Sequence, residues 1–304
     1  MTMARPIHLV CCLLCGGCPT TPARPAASQI QITDDHGHTV SLAHPARRIV
    51  SLSPSNTEIL FAVGCSERVV LRDRLSSFPE AARRLPATNP FQLSPDHVAG
   101  FSPDLVLLTH ADSSRVEALR RLGLAVAILE PRSLDAVYND IHVIARLCGS
   151  GPRARRLVQR LKRRVQAVVQ RVRGRARPSV FIETDGTDSL KPWTCGRGSF
   201  VDQIVRLAGG RSVTATLDRP FAQVNAEEII AANPDVILAM GVDRQSGARG
   251  LQRLRSRQGW SSLEAVRQGR VIDTIDADLL SRPGPRLVDG LEALARALHP
   301  AAWP

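Results

Sequence analysis

The stretch RIVSLSPSNTEILFAVG (residues 48–64) passes from an apolar run into a helical pattern and carries one carboxylate, Glu58, near the crossing. Strand-to-helix turns are where α/β proteins place phosphate loops and ligand-binding backbone amides. Two local readings compete with chemistry. Ser55-Asn56-Thr57-Glu58 has the spacing of a capping box, in which Ser55 accepts from the third helical amide and Glu58 reaches back to the cap amide. Ser53-Pro54 offers an earlier start, with Ser53 as cap and proline at the first helical position. No histidine or second carboxylate lies close in sequence to form an acid–base pair with Glu58. Glu58 is therefore expected to be a helix cap.

Other catalytic constellations do not assemble. GxGxxG, GxxxxGK[ST] and GxSxG are absent, and Cys195-Gly196-Arg197-Gly198 has only two glycines before an apolar helix. That segment reads as a helix entry whose amides face a cleft. His36 and His38 fall in a turn-like composition, Asp-His-Gly-His, and the remaining histidines are scattered, so no protein metal site is expected. Cys195 has no partner histidine in its half of the chain except His299, which argues against a thiol nucleophile. The chain is read as a binder, not an enzyme.

Bulk properties narrow the class. The chain has 304 residues with 43% hydrophobic and 22% charged content, ordinary for globular proteins and long enough for two moderate domains. Residues 1–28 have the order of an export leader: one early Arg, a short apolar run from Ile7 to Leu14, then small residues and a Pro/Ala stretch. Cys18, after Gly16-Gly17, resembles a lipoprotein cleavage site and is a candidate for lipidation. An exported protein, soluble or tethered at the extracytoplasmic face, is expected. Four of the seven cysteines lie in that leader. Of Cys65, Cys148 and Cys195, at most one pair can bridge, and the spacing leaves the pairing open between a bridge and three buried thiols.

The elements that would position a site alternate. Residues 30–44 alternate like a hairpin. Short apolar runs at 48–52, 69–71, 105–108 and 126–129, and again at 180–183, 236–239 and 271–273, are separated by helical patterns. Such strands, apolar throughout, indicate parallel sheets covered on both faces. Between the two sets, residues 153–177 hold eleven basic residues and no acidic one. Leu157, Leu161, Val165, Val168, Val169 and Val172 recur every three or four positions, which predicts one long amphipathic helix ended by Pro178. An internal repeat links the halves: SPDHVAGFSPDLVLL (94–108) aligns without a gap to NAEEIIAANPDVILA (225–239). Asp96 falls on Glu227, Pro103 on Pro234 and Asp104 on Asp235. A looser echo pairs TEILFAVG (57–64) with DQIVRLAG (202–209). The division expected is a lobe over 29–150, a connecting helix over 151–177 and a second lobe over 178–304, with a cleft between lobes for a ligand.

Candidates for lining that cleft are the scarce aromatics and nearby arginines: Phe91, Trp193, Phe221, Arg197, Arg74 and Arg282, with Ser53 and Asn56 from the opening turn. Phe78, Phe200 and Arg72 are further candidates, Phe78 and Phe200 having core packing as the plainer reading. Flat apolar faces with a few donors suit a bulky ligand that carries polar or anionic side groups. The net charge of +12 raises the question of nucleic acid. The basic helix has an apolar stripe and no stacking aromatics beside it, so a solvated face is the reading adopted.

ITDDHGHTV…ARRIVSLSPSNTEILFAVG, SPDLVLL, WTCGRGSFVDQIVRLAGG and FAQVNAEEIIAANPDVIL together resemble the helical-backbone substrate-binding proteins of ABC importers for vitamin B12, haem and ferric siderophores, over about residues 30–298. Within that family the likeness is nearest to the vitamin B12 (corrinoid) binders. The resemblance implies two Rossmann-like lobes with parallel sheets joined by one long rigid helix. It implies a monomer that delivers its ligand to a membrane permease, any metal arriving inside the ligand. It further implies that an acidic residue on each lobe meets arginines of the permease, at positions matching Asp96 and Glu227. Asp96 stands where Glu is usual. An aromatic that flanks the corrinoid matches Phe221. On the first lobe the usual Tyr falls near Leu75 and the usual Trp near 89–91, where Phe91 is the aromatic available.

Overall fold

The computed structural model describes residues 29–109, 113–241 and 250–303; the segment expected to be an export leader, with Cys18, lies outside them. The chain enters through an antiparallel hairpin, β1 (Ile30–Thr33) and β2 (Thr39–Leu42). Its turn is held by buried Asp34, which accepts from the His36 and His38 amides at 3.0 and 2.8 Å and from the Ile128 amide at 3.2 Å. Both histidines therefore serve a turn.

The first sheet comprises β3 (Ile49–Ser51), β4 (Val69–Asp73), β5 (Ala87–Thr88), β6 (Leu105–Leu108) and β7 (Val126–Ile128). All pairs are parallel, in the order β5-β4-β3-β6-β7. Helices α1 (Pro54–Ala62), α2 (Pro95–Gly100), α3 (Ser113–Arg121) and α4 (Leu134–Leu147) connect and flank it. Next comes α5 (Gly151–Val172), the longest element. The second lobe follows with β8 (Ser179–Glu183), β9 (Trp193–Cys195), α6 (Phe200–Leu207), β10 (Arg211–Ser212), β11 (Phe221–Gln223), α7 (Ala226–Ala232) and β12 (Val236–Ala239). It closes with α8 (Gly250–Arg255), α9 (Glu264–Arg267), β13 (Val271–Ile272), α10 (Asp278–Ser281) and α11 (Leu287–Leu298). Its parallel sheet runs β10-β8-β12-β13, with β9 and β11 forming a separate antiparallel ribbon. Strands β3, β6, β8 and β12 are buried along their whole length, which is why they read as unbroken apolar runs. The fold is the two-lobed α/β architecture with a connecting helix.

The internal repeat is physical. α2 and β6 in one lobe correspond to α7 and β12 in the other at the offset the alignment gave. Asp104 accepts from the Arg47 and Arg48 amides at 2.8 and 3.0 Å, while Asp235 accepts from the Ser179 amide and hydroxyl, both at 2.7 Å. Each aspartate thus fastens the start of its lobe's central strand. The residues before the prolines, Ser102 and Asn233, both take left-handed backbone, at φ 46° and 38°. In the looser echo, Gly64 and Gly209 take the same role after α1 and α6, at φ 74° and 86°.

Helix α5 packs its apolar stripe against α4 and α11 and carries Arg164 into a carboxylate pair on α11: Nη2 donates to Asp289 at 2.6 Å and Nε to Glu292 at 2.8 Å. It ends at Val172 rather than continuing to Pro178. Arg173 leaves helical geometry and Gly174 adopts φ 75°, so the chain breaks where glycine permits it, before the proline is reached. Cys65, after α1, is disulfide-bonded to Cys148, after α4, which fixes two helix ends just ahead of α5. Cys195 is a free, buried thiol whose pKa burial pushes up to about 12, the opposite of an activated nucleophile.

Asp140 on α4 is buried, and neither carboxylate oxygen has a hydrogen-bond partner among the described residues. Burial, with Asp35 nearby, pushes its pKa from 3.8 to about 8. A folded-state pKa above the unfolded value means this group's stabilising contribution is full below 3.8 and is lost as pH rises toward about 8. Between those limits the wild type is expected to lose stability relative to Asp140→Asn by about 1.4 kcal/mol per pH unit. Urea midpoints at pH 5 and pH 8 check this, and parallel pH slopes in the two proteins would contradict it.

Candidate functional site

In a sheet ordered β5-β4-β3-β6-β7, the connections leave in opposite directions from β3 and β6, and a crevice opens beyond their carboxyl ends. The residues that follow these two strands meet there. Thr109 Oγ1 donates to Ser53 Oγ at 2.6 Å, and Ser53 and Ser55 hydroxyls lie 2.8 Å apart. Ser53 precedes α1, with Pro54 at its first position, but its hydroxyl is taken up by this cluster and forms no side-chain cap. A second hydroxyl chain runs beneath, from Ser51 to Thr57 at 2.8 Å, to Ser76 at 2.9 Å and on to buried Asp73.

Above this floor lies a cavity of about 640 Å³, within the range of small-molecule sites, with walls from both lobes. The first lobe supplies the loop ends after its strands: Ser53–Ser55, Asp73, Leu75, Phe91, Thr109 and Glu130–Arg132. The second supplies the start of α6 at Gly198–Phe200, the ribbon's Pro220 and Phe221, and Ser281–Pro283. The start of α6 and that of α1 both border the cavity, placing two partially positive helix ends on it. Arg132 and Arg282 add full charges. Arg282 is paired with Asp278 at 3.0 Å, and Glu130 takes the Arg132 and His36 side chains at 3.5 and 3.2 Å.

The corresponding crevice of the second lobe is filled. Glu183, at the end of β8, is fully buried and pairs with both Arg253 and Arg257. Arg257 also donates to the Gly186 carbonyl at 2.9 Å and lies 4.6 Å from the Trp260 ring centre. A side chain at Gly186 would strike these groups. The second lobe therefore meets the cavity with its loops.

Of the residues expected to line the cleft, the structure brings together Phe91, Phe221, Ser53 and Arg282, together with Leu75 and Phe200. Phe91 and Phe221 stand on opposite lobes and are 65% and 47% exposed. Asn56 is elsewhere: it is buried, with Nδ2 donating to the Leu108 carbonyl at 3.2 Å, because the third position of α1 faces the sheet. Arg74 is exposed outside the lining, as β4 turns its backbone toward Thr88. Arg197 is held by the Ala215 carbonyl at 3.4 Å, and Trp193 is paired with Gln223 further along the ribbon from Phe221. Neither lines the cavity. Arg72 is buried and braces the 82–83 backbone through its guanidinium. Glu130, Arg132 and Thr109 were missed, although each follows an apolar run that ends at the carboxyl edge of a parallel sheet.

Glu58 is not a cap. It lies one turn into α1, buried, and its carboxylate crosses to the other lobe: Oε1 accepts from the Arg286 amide at 2.9 Å and Oε2 from Arg286 Nε at 2.8 Å. The Arg286 guanidinium stacks 3.7 Å from the centre of the Phe78 ring, also on the first lobe. Burial raises the Glu58 pKa, and Arg286 pulls it part of the way back. A second inter-lobe bond joins the Leu134 amide to Gln203 Oε1 at 2.7 Å. Asp96 and Glu227 occupy the same position in equivalent helices, one residue past the first turn's start on α2 and α7, exposed and in no ion pair with the described residues.

Comparison with known proteins agrees with this geometry. A family model described as periplasmic binding protein matches residues 49–277. The ABC transporter substrate-binding lipoprotein YvrC of Bacillus subtilis (strain 168) is 28% identical over 280 residues, covering 89% of this chain and 86% of its own. The vitamin B12-binding protein of Yersinia pestis (strain Pestoides F) is 26% identical over 206 residues, 67% of this chain and 72% of its own. Among solved structures, the periplasmic haem-binding protein RhuT from Roseiflexus sp. RS-1 superposes with a TM-score of 0.75 at 31% identity, across 84% of this chain and 99% of that one.

Removing either partner of the buried Glu58–Arg286 pair leaves the other uncompensated, at a cost of about 3 kcal/mol. Glu58→Ala and Arg286→Ala are each expected to show that loss in urea unfolding, with the double variant well short of their sum. Additive losses would mean that the two residues do not act as a pair.

Proposed function

The chain belongs to the periplasmic binding protein family, and from that premise we propose that it is the extracytoplasmic substrate-binding component of an ABC importer for a corrinoid such as cobalamin. Its relatives are binding proteins, and the cavity is built for capture, with apolar walls over fixed hydroxyls. The observation that carries the corrinoid reading is the pair of open aromatic faces, Phe91 and Phe221, one on each lobe of a single cavity. They suit a flat, bulky ligand held between the lobes. A corrinoid carries its metal already ligated, and its amide and phosphate groups match the hydroxyl floor, the helix starts and the two arginines.

Haem is the second reading. It is favoured by the 31% identity to a haem-binding protein and by Arg132 and Arg282, which would pair with propionates. Calorimetric titration of the protein with cobalamin, haem and a ferric hydroxamate siderophore separates the ligands. Cobalamin is expected to bind most tightly, and Phe91→Ala or Phe221→Ala to weaken it by about tenfold or more, about 1.4 kcal/mol. Binding of haem alone would replace the corrinoid reading.

Delivery is assigned to Asp96 and Glu227, which present unpaired carboxylates at equivalent points of the two lobes, facing arginines of the permease. Asp96→Lys with Glu227→Lys is expected to abolish ligand uptake in cells while the solution affinity is unchanged. Loss of affinity in that double variant would remove the docking role.

A further inference from the structure

Helix α5 has a second face, turned away from the core. Its inner face is taken by Leu157, Leu161 and Val168, and no α5 residue lines the cavity. Opposite that stripe, Arg155, Arg156, Arg160 and Arg163 are exposed, and none has a hydrogen bond or ion pair with the described residues. Arg153, Lys162 and Arg171 flank them. The helix contains no acidic residue, and the carboxylates nearest to it in the pairing scheme, Asp289 and Glu292, are consumed by Arg164. From Arg155 to Arg163 the cationic ridge spans about 12 Å at the rise of an α-helix, and Arg171 lies further along, over the Trp303 ring at 5.4 Å. A solvated face needs charge of either sign; a single-sign ridge of this length on a rigid element maintains a strong local potential.

We propose that this ridge is a docking surface for anionic lipid headgroups, which holds the protein on the membrane with its cavity unobstructed. The inference rests on the extracytoplasmic placement proposed above. Three observations favour a lipid surface. From Arg155 to Arg163 the exposed side chains are all cations apart from Gln159, with no aromatic or apolar one among them, which suits a charged plane and not an apolar groove. The described chain starts at β1, which packs on α4, and α4 packs on α5, so the start of the described fold lies one helix away from α5. Asp96 and Glu227 lie on other helices, so lipid contact at α5 leaves them free. The lipid-bound form would thus wait for ligand while adsorbed, and the permease would compete for it through a different face.

Each cation close to an anionic surface strengthens binding about fivefold. The test is co-sedimentation of the full chain carrying Cys18→Ser, so that no acyl chain contributes, with vesicles of phosphatidylglycerol and phosphatidylcholine at 3:7 or of phosphatidylcholine alone. Salt-sensitive binding to the anionic vesicles is expected, with only background on phosphatidylcholine. The variant Arg155→Gln, Arg156→Gln, Arg160→Gln, Arg163→Gln is expected to bind at least about a hundredfold more weakly while keeping its circular dichroism and ligand affinity. A variant with Glu at the same four positions should remove binding altogether. Equal binding to both vesicles, no binding at low salt, or binding unaffected by the Gln variant would overturn the proposal. Tighter binding to duplex DNA than to the anionic vesicles would overturn it in favour of nucleic acid. Failure of the ligand titration would leave these arms unaffected, so the two readings fail separately.

Discussion

A carboxylate on the first lobe, Glu58, holds an arginine of the second, Arg286, by both its backbone amide and its side chain, under a cavity that neither lobe could form alone. The bond from the Leu134 amide to Gln203 Oε1 joins the lobes as well. Phe78 covers the guanidinium, and a side chain at Gly284 would sit 3.3 Å from Glu58 Oε1. Burial raises the Glu58 pKa despite its partner, so desolvation outweighs attraction in the net account. Such a pair adds little stability over apolar packing, but it is intolerant of any other arrangement. Its role is to select one inter-lobe geometry. Helix α5 limits how far the lobes can move apart, and the bridge sets how they meet.

The two lobes use the same scaffold differently. Duplicated aspartates, Asp104 and Asp235, fix both central strands in the same way. Yet one sheet opens its crevice to the cavity through Ser53 and Thr109, while the other closes its own with Glu183, Arg253 and Arg257. The ligand is therefore offered a deep polar floor on one side and a loop-borne wall with Phe221 on the other. An asymmetric site of this kind orients an asymmetric ligand, while Asp96 and Glu227 keep equivalent positions on α2 and α7 outside it.

Much of this was legible in the chain, for identifiable reasons. Strands buried on both faces leave continuous apolar runs, and these coincided with β3, β6, β8 and β12. The repeat carried even the left-handed positions, Ser102 and Asn233. What failed were features set by distant partners. The capping spacing around Glu58 is a local signal, and it was overridden by an arginine that no local pattern connects to it. Asn56 has cleft chemistry but sits on the sheet side of its helix, which spacing alone does not reveal in so short an element. The end of α5 was misplaced because Gly174 stops a helix as effectively as Pro178 and comes first. The ribbon of β9 and β11 has strands of three residues, too short for periodicity, so Trp193 and Arg197 could not be separated from Phe221. Glu130 and Arg132 were within reach, since they follow the run ending β7.

Under the corrinoid proposal, one ligand, with its own metal, lies between Phe91 and Phe221. Cobalt anomalous scattering from crystals grown with cobalamin tests it most directly. A single strong peak is expected within the inter-lobe cavity, between the two rings. No peak at saturating ligand, or a peak away from both rings, would contradict it.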